Sequence, residues 1–238
     1  MRLIGFSTGA LTREDFRAAL GILREKQVRA VELSALRQPE LIPLVEELDS
    51  LDLREFRYIA FHAPSVIGVE FESVAIGLLR RVAMRGWPII VHPDAMHNLE
   101  RWAELGNSLY IENMDKRKPI GQTAADLMQI FDSVPCASLC FDIGHARQVD
   151  PTMSEAAAIL QHHKARLKQI HVSEVNSQSR HDALSFESVL AFRRVAHLIP
   201  EDVPTIVESR VGENEVEEEI QTARAALNFE NMLAIAGD

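Results

Sequence analysis

Residues 139–150 read L-C-F-D-I-G-H-A-R-Q-V-D. An apolar, strand-like run enters Asp142, a turn containing Gly144 follows, and His145 stands three positions after the aspartate. Leu139–Phe141 is apolar at consecutive rather than alternate positions. That pattern suits a parallel strand covered on both faces. An aspartate at its end is either the cap of a following helix or, with the histidine, half of a metal site. The surrounding chain has to decide between the two.

Working outward, the same pattern recurs. Short β-type runs stand at Leu3–Ser7, Ala30–Ser34, Tyr58–His62, Ile89–His92, Leu109–Asn113, Ser138–Asp142, Gln169–Val172 and Thr205–Glu208. Amphipathic stretches lie between them at Arg13–Glu25, Glu72–Arg85, Ala124–Asp132, Ser154–Leu167, Phe186–Leu198 and Asn214–Leu227. Thr12, with Asp15 three residues on, approximates a capping box ahead of the first stretch. Pro151 and Thr152 mark the approach to the stretch from Ser154. Strands alternating with helices predict an α/β fold with parallel pairing and right-handed crossovers. Eight such units in about 250 residues predict a (β/α)8 TIM barrel, with a doubly wound open sheet as the alternative. With no Pro/Gly/Ser linker and no low-complexity tract, residues 1–238 read as one domain. The acidic run Glu215–Glu219 reads as a solvated face of the last helix.

The 238 residues are 47% hydrophobic and 25% charged, enough to bury a large core. A formal charge of -10 disfavours a general binder of nucleic acid or anionic membranes, while leaving room for a local cleft of another character. Two cysteines, Cys136 and Cys140, make a disulfide scaffold improbable and fit a reducing cytoplasm. The opening MRLIGFSTGALTRED lacks the apolar core of a signal peptide. No apolar run approaches the roughly 18 residues of a membrane span. The expectation is a soluble, cytoplasmic protein.

The polar residues at the strand ends carry the chemistry. Ser7, Glu32, His62, His92, Glu112, Asp142, His171 and Glu208 all fall at or near the C-terminal ends of the predicted strands. Charged groups placed there are costly unless partnered, yet that edge of a parallel barrel is where active sites are built. Converging carboxylates repel one another unless a cation lies between them. Imidazole plus carboxylate suits zinc, manganese or iron. The repeated strand-end pattern therefore predicts a metal site, and Asp142 is assigned to it rather than to a helix cap.

FHAPS at 61–65, VHP at 91–93, IEN at 111–113, CFDIGHA at 140–146, IHVSE at 170–174, RH at 180–181 and VES at 207–209 follow in order. The ordered set resembles the xylose isomerase-like TIM-barrel superfamily, which includes apurinic-site endonucleases of the endonuclease IV type and sugar isomerases and epimerases. The endonuclease resemblance implies up to three metals. His62, His92 and Glu112 would hold the first; Glu112, bridging, with Asp142, His171 and Glu208 the second; His145 and His181 the third. The family's third metal also takes an aspartate two residues before the histidine of the RH motif, where this chain has Ser179, a poor ligand. The sugar epimerases need one metal on two Glu, one Asp and one His, and Glu112, Asp142, His171 and Glu208 supply that set.

Two chemistries follow. In an isomerase or epimerase of a small sugar, sugar acid or polyol, the metal stabilises an enediolate while Glu112 and Glu208 move the proton as base and acid. In a phosphoesterase, acting on a small phosphoester or on abasic nucleic acid, clustered metals activate water, and the added histidines favour this branch. A non-catalytic relative is the third reading. The implied cofactor is a divalent cation, zinc or manganese foremost, with magnesium, cobalt or iron also compatible. The implied partner is a small polyhydroxylated or phosphorylated substrate. Lys116, Arg147, Arg180 and Arg210 lie just past strand ends as candidate grips for it. Glu32 and Glu174 are candidates to orient ligand histidines. His97, His162, His163 and His197 fall in or beside predicted helices and read as surface or packing residues.

Overall fold

In the computed structural model, which describes residues 2–228, eight parallel strands close on themselves. They are β1 (Ile4–Ser7), β2 (Ala30–Ser34), β3 (Tyr58–His62), β4 (Ile89–Val91), β5 (Leu109–Glu112), β6 (Ser138–Asp142), β7 (Leu167–Val172) and β10 (Thr205–Val207). The two remaining strands, β8 (Glu174–Val175) and β9 (His181–Asp182), form a separate antiparallel ribbon. The ring runs β1-β10-β7-β6-β5-β4-β3-β2, and β1 pairs with both β2 and β10. That closure rules out the open-sheet alternative. The ends of the one-domain span read from the sequence, Met1 and 229–238, lie outside the described residues.

Ten helices accompany the strands among the described residues: α1 (Thr8–Thr12), α2 (Phe16–Glu25), α3 (Gln38–Glu47), α4 (Glu72–Ala83), α5 (Leu99–Trp102), α6 (Ala124–Ser133), α7 (Ile143–Val149), α8 (Ser154–His162), α9 (Phe186–Ala196) and α10 (Val216–Leu227). Asp15, not Thr12, caps α2: its carboxylate accepts the Ala18 N–H at 3.0 Å, so the helix starts at Phe16. The stretch expected to run from Ser154 to Leu167 stops at His162, because Leu167 already belongs to β7. Helix α3 carries Pro43 in its interior, a residue that removes a helical donor. On α10, Glu217 and Glu218 are exposed, but Glu219 turns inward and accepts the Leu184 N–H at 2.9 Å. The acidic run is therefore only partly a solvated face.

Two apolar layers hold the barrel. The main one lies between strands and helices, where outward-facing Phe6, Leu33, Phe61 and Phe141 pack with Leu20, Leu79 and Phe192, all fully buried. Burying each such side chain contributes about 1.5–3 kcal/mol. The second is a small plug inside the barrel, Ala60, Ile90 and Cys140, flanked by Tyr58 and Tyr110. Above that plug the inward positions turn polar. Register sets them at shared heights: Asp142 pairs with His171 and Ser7 with Glu32. No helix among the described residues is long and apolar enough to cross a membrane.

The β1–β2 seam leaves no room at Gly5, where a Cβ would lie 2.1 Å from the Ala30 carbonyl oxygen. Gly5→Ala is expected to destabilise the fold by roughly 1–3 kcal/mol. An unchanged urea-unfolding midpoint for that variant would contradict the packing described.

Candidate metal centre

The C-terminal ends of the barrel strands surround a cavity of about 720 Å³ whose floor is built from imidazoles and carboxylates. Glu112, at the end of β5, stands in the middle with 1% exposure. His62 Nε2 from β3 and His92 Nε2, one residue past β4, both lie 3.2 Å from its Oε2. His171 Nδ1 from β7 lies 3.0 Å from its Oε1 and 3.4 Å from Glu208 Oε2, just past β10. The His62 Nδ1–H donates to the Ala63 carbonyl at 2.7 Å. In the neutral ring this turns the Nε2 lone pair toward a carboxylate, an arrangement that needs a proton or a cation between them.

Asp142 ends β6 and does two jobs. Its Oδ1 accepts the His145 N–H at 2.6 Å, so it is the N-cap of α7, contrary to the reading that set the cap aside. Its Oδ2 is buried and has no hydrogen-bond partner. The capping and ligand readings thus fall on different oxygens of one carboxylate. Asn113 fixes the strand end from both sides, donating to the Asp142 carbonyl and accepting its N–H, each at 2.8 Å. Gly144 lies in the first helical turn, not in a separate turn. A Cβ there would meet the Ser173 carbonyl at 2.4 Å, so glycine lets α7 approach the end of β7. His145 Nδ1–H donates to the Asn113 carbonyl at 2.9 Å, which orients its ring.

Four overlapping sets bring their ligand atoms within 4.8 Å of one another: His62, His92 and Glu112; Glu112, Asp142, His171 and Glu208; Asp142, His145 and His181; and Glu32, His62, His171 and Glu208. The first two match groupings implied by the sequence resemblance, the third adds Asp142 to His145 and His181, and the fourth was not among them. The third set gains nothing from Ser179, whose hydroxyl accepts from Gln148 Nε2 at 2.8 Å. His181, on β9, has Nδ1 2.8 Å from Ser173 Oγ and 3.5 Å from Glu208 Oε2. The donor types, the overlap of the sets on shared carboxylates and the buried Asp142 Oδ2, which accepts no hydrogen bond and has only His145 Nδ1 near it at 3.5 Å, all fit a divalent cation.

Electrostatics point the same way. Burial would raise the Glu112 carboxyl, but the charge and hydrogen bonds of His171, with those of His62 and His92, hold it well below the usual range. Burial pushes Glu208 up to about 8 against the pull of His171, with Glu112 and Glu32 adding to the rise. Burial likewise lifts Asp142 to about 6, partly offset by His145. Burial opposes charge on His62, yet Glu112 outweighs it and brings the ring up to about 9. His181 is depressed to about 3, first by burial and then by neighbouring His145. Protons are therefore held at places a cation would claim.

The rim is mixed. Arg180 and Arg210 line the cavity, and neither has a carboxylate within ion-pair distance among the described residues. Arg147 is held by Glu174 at 3.3 Å, and Lys116 does not line the cavity. Glu174 accepts from Ser185 N–H and touches no candidate ligand histidine, whereas Glu32 Oε2 lies 2.9 Å from His171 Nε2. His97 and His162 bond backbone carbonyls, and His163 packs on Phe131. Sequence reasoning missed Asn113, Ser173 and Gln148 as supports of the site. Asn113 and Ser173 carried a signal, standing in the IEN and IHVSE stretches, and Gln148 carried none.

A closed parallel barrel with an imidazole–carboxylate floor defines a class of TIM barrels suited to binding a cation at the strand ends. The sequence profile of the xylose isomerase-like TIM barrel family matches residues 76–228, and the chain belongs to that family. Several solved structures share the fold. The apo 3-keto-D-glucoside 4-epimerase YcjR from E. coli superposes with a TM-score of 0.62 at 13% identity, over 95% of this chain and 99% of that one. The IOLI protein with a bound zinc atom gives 0.61 at 15% identity, over 95% and 96%. A xylose isomerase-like TIM barrel protein from Mycobacterium smegmatis in complex with magnesium gives 0.57 at 15%, over 90% of each chain. No curated protein matches by sequence.

Glu112→Gln and Asp142→Asn should each lower cation occupancy, measured by elemental analysis after gel filtration; full occupancy in both would remove them from the ligand set. A cation must displace the protons held by Asp142 and Glu208. Affinity should therefore climb as pH rises from about 6 to about 8, with protons released on binding. Zinc titration calorimetry in buffers of different ionisation enthalpy reads this directly, and a pH-independent affinity without proton release would contradict the assignment.

Proposed function

We propose that the chain is a divalent-cation-dependent isomerase or epimerase of a small sugar, sugar acid or polyol. The observation that carries the proposal is the set Glu112, Asp142, His171 and Glu208, complete in type and gathered within 4.8 Å at the floor of one cavity. When bound there, a divalent cation supplies Lewis-acid stabilisation for negative charge on neighbouring substrate oxygens. Zinc and manganese suit the donors best, with magnesium, cobalt and iron compatible.

The chain's own residues supply proton transfer and orientation. Glu112, held ionised by the imidazoles around it, would accept a proton from carbon. Glu208, on the other side of His171 from Glu112, would return it. The two carboxylates, on either side of His171, would form an acid–base pair for proton transfer next to a carbonyl. Arg180 and Arg210 on the rim would pair with acidic groups of the substrate; Lys116 and Arg147 would do so only after a change in their surroundings.

One observation favours a second reading. Glu112 Oε2 is shared by His62 and His92, a grouping that one-cation epimerisation does not require. A second cation there would suit hydrolysis of a small phosphoester. Metal count per chain, with assays on a ketose panel and on an abasic duplex, separates the readings. One manganese or magnesium with ketose epimerisation is the expected result; two or three zinc ions with duplex cleavage would replace it by the hydrolase. Glu208→Gln should reduce epimerisation by roughly 10²–10⁴-fold.

A further inference from the structure

Below the candidate ligands lies a carboxylate that the proposed chemistry does not use. Glu32, on β2, has no solvent exposure. Its Oε1 has no partner, and its Oε2 accepts from Gln169 Nε2 at 2.7 Å and lies 2.9 Å from His171 Nε2. A charged group so placed inside a barrel is costly. Its contacts show what it does in return.

The two nitrogens of His171 face opposite ways. Nδ1 faces Glu112 and Glu208, so it is the nitrogen that would meet a cation. A lone pair there requires the ring proton on Nε2. Two atoms lie within hydrogen-bond distance of Nε2, Gln169 Nε2 at 2.8 Å and Glu32 Oε2 at 2.9 Å, and the Cys140 thiol also interacts with the ring. The amide nitrogen is a donor already directed to Glu32 Oε2 at 2.7 Å and cannot receive the proton, and a thiol is a weak acceptor, which leaves Glu32 as the acceptor. Gln169 is held in turn: Tyr58 Oη donates to its Oε1 at 2.5 Å, and the reversed amide would set its oxygen against the Glu32 carboxylate. Without Glu32, the Gln169 amide would donate to Nε2 and drive the proton to Nδ1, the tautomer that cannot ligate.

We infer that Glu32 is a positioning residue that selects the ligating tautomer of His171, with Gln169 and Tyr58 holding the carboxylate's other partner in place. This inference rests on the reading of His171 as a cation ligand. The competing role for Glu32 is direct ligation, since one of its oxygens also falls within 4.8 Å of ligand atoms of His62, His171 and Glu208. Against that, the rings of His62 and His171 stack nearly parallel, 5.9 Å apart at 20°, and turn faces rather than lone pairs toward each other.

The test uses the full chain with zinc alone and no substrate. Glu32→Gln preserves shape and should weaken zinc binding roughly 10- to 100-fold, read by chelator competition, with the number of zinc ions per chain unchanged. The His171 Nε2–H resonance of the zinc-loaded protein should move upfield as its charged acceptor is lost. The exchanged pair Glu32→Gln/Gln169→Glu returns a carboxylate to Nε2 and should restore both affinity and resonance. A role in packing alone would not be rescued by this exchange. Wild-type affinity in Glu32→Gln overturns the inference, as does the loss of one zinc per chain, which would make Glu32 a ligand. A wild-type chain that binds no zinc overturns the cation-site reading along with it.

Discussion

The Glu112 carboxylate is almost fully buried and approached by four imidazoles. His62 and His92 face one oxygen, and His171 and His145 face the other at 3.0 and 3.6 Å. No such carboxylate is stable in a barrel interior without positive charge beside it. Every other feature of the floor follows from supplying that charge in a fixed geometry. Carbonyls of Ala63 and Asn113 aim the rings of His62 and His145, Asn113 pins the end of β6, and the capped start of α7 keeps Asp142 from swinging away. The apolar layer between strands and helices provides the rigidity on which this polar centre depends.

Most of the barrel was legible because its strands are apolar runs of the right length and spacing. Seven of the eight begin within one residue of where the sequence places them. The eighth, β7, starts two residues early, since Leu167 and exposed Lys168 break the expected pattern. What escaped has physical reasons. Helix α3 hides behind Pro39 and Pro43, residues that ordinarily argue against a helix. The β8–β9 ribbon has strands of two residues, too short for any period to show. Helix α7 was taken for a turn because Gly144 reads as a breaker, whereas the glycine is there for the Ser173 carbonyl.

The site was legible in its charged members for a different reason. Carboxylates and imidazoles at strand ends stand out against apolar runs, and parallel strands bring those ends to one rim. Their supports did not stand out. Gln148 joins the loop carrying Asn176 and Ser179 to Lys116 N–H through an amide that looks, in sequence, like any helix-surface glutamine. Glu32 and Gln169 were both visible as strand residues, but their contact was not, since the alignment of β2 and β7 across the barrel is a property of closure. Arg147 shows the converse: a cation past a strand end is committed to Glu174 rather than to the cavity.

The contacts at the floor join parts of the chain that are far apart in sequence: Glu32 and His171 are 139 residues apart, and Tyr58 and Gln169 are 111. Contacts of such separation form late and slowly in folding, because loop closure precedes any gain from them. Glu208 follows β10, the strand that seals the ring against β1. The set Glu112, Asp142, His171 and Glu208 is therefore completed only with the last strand of the ring.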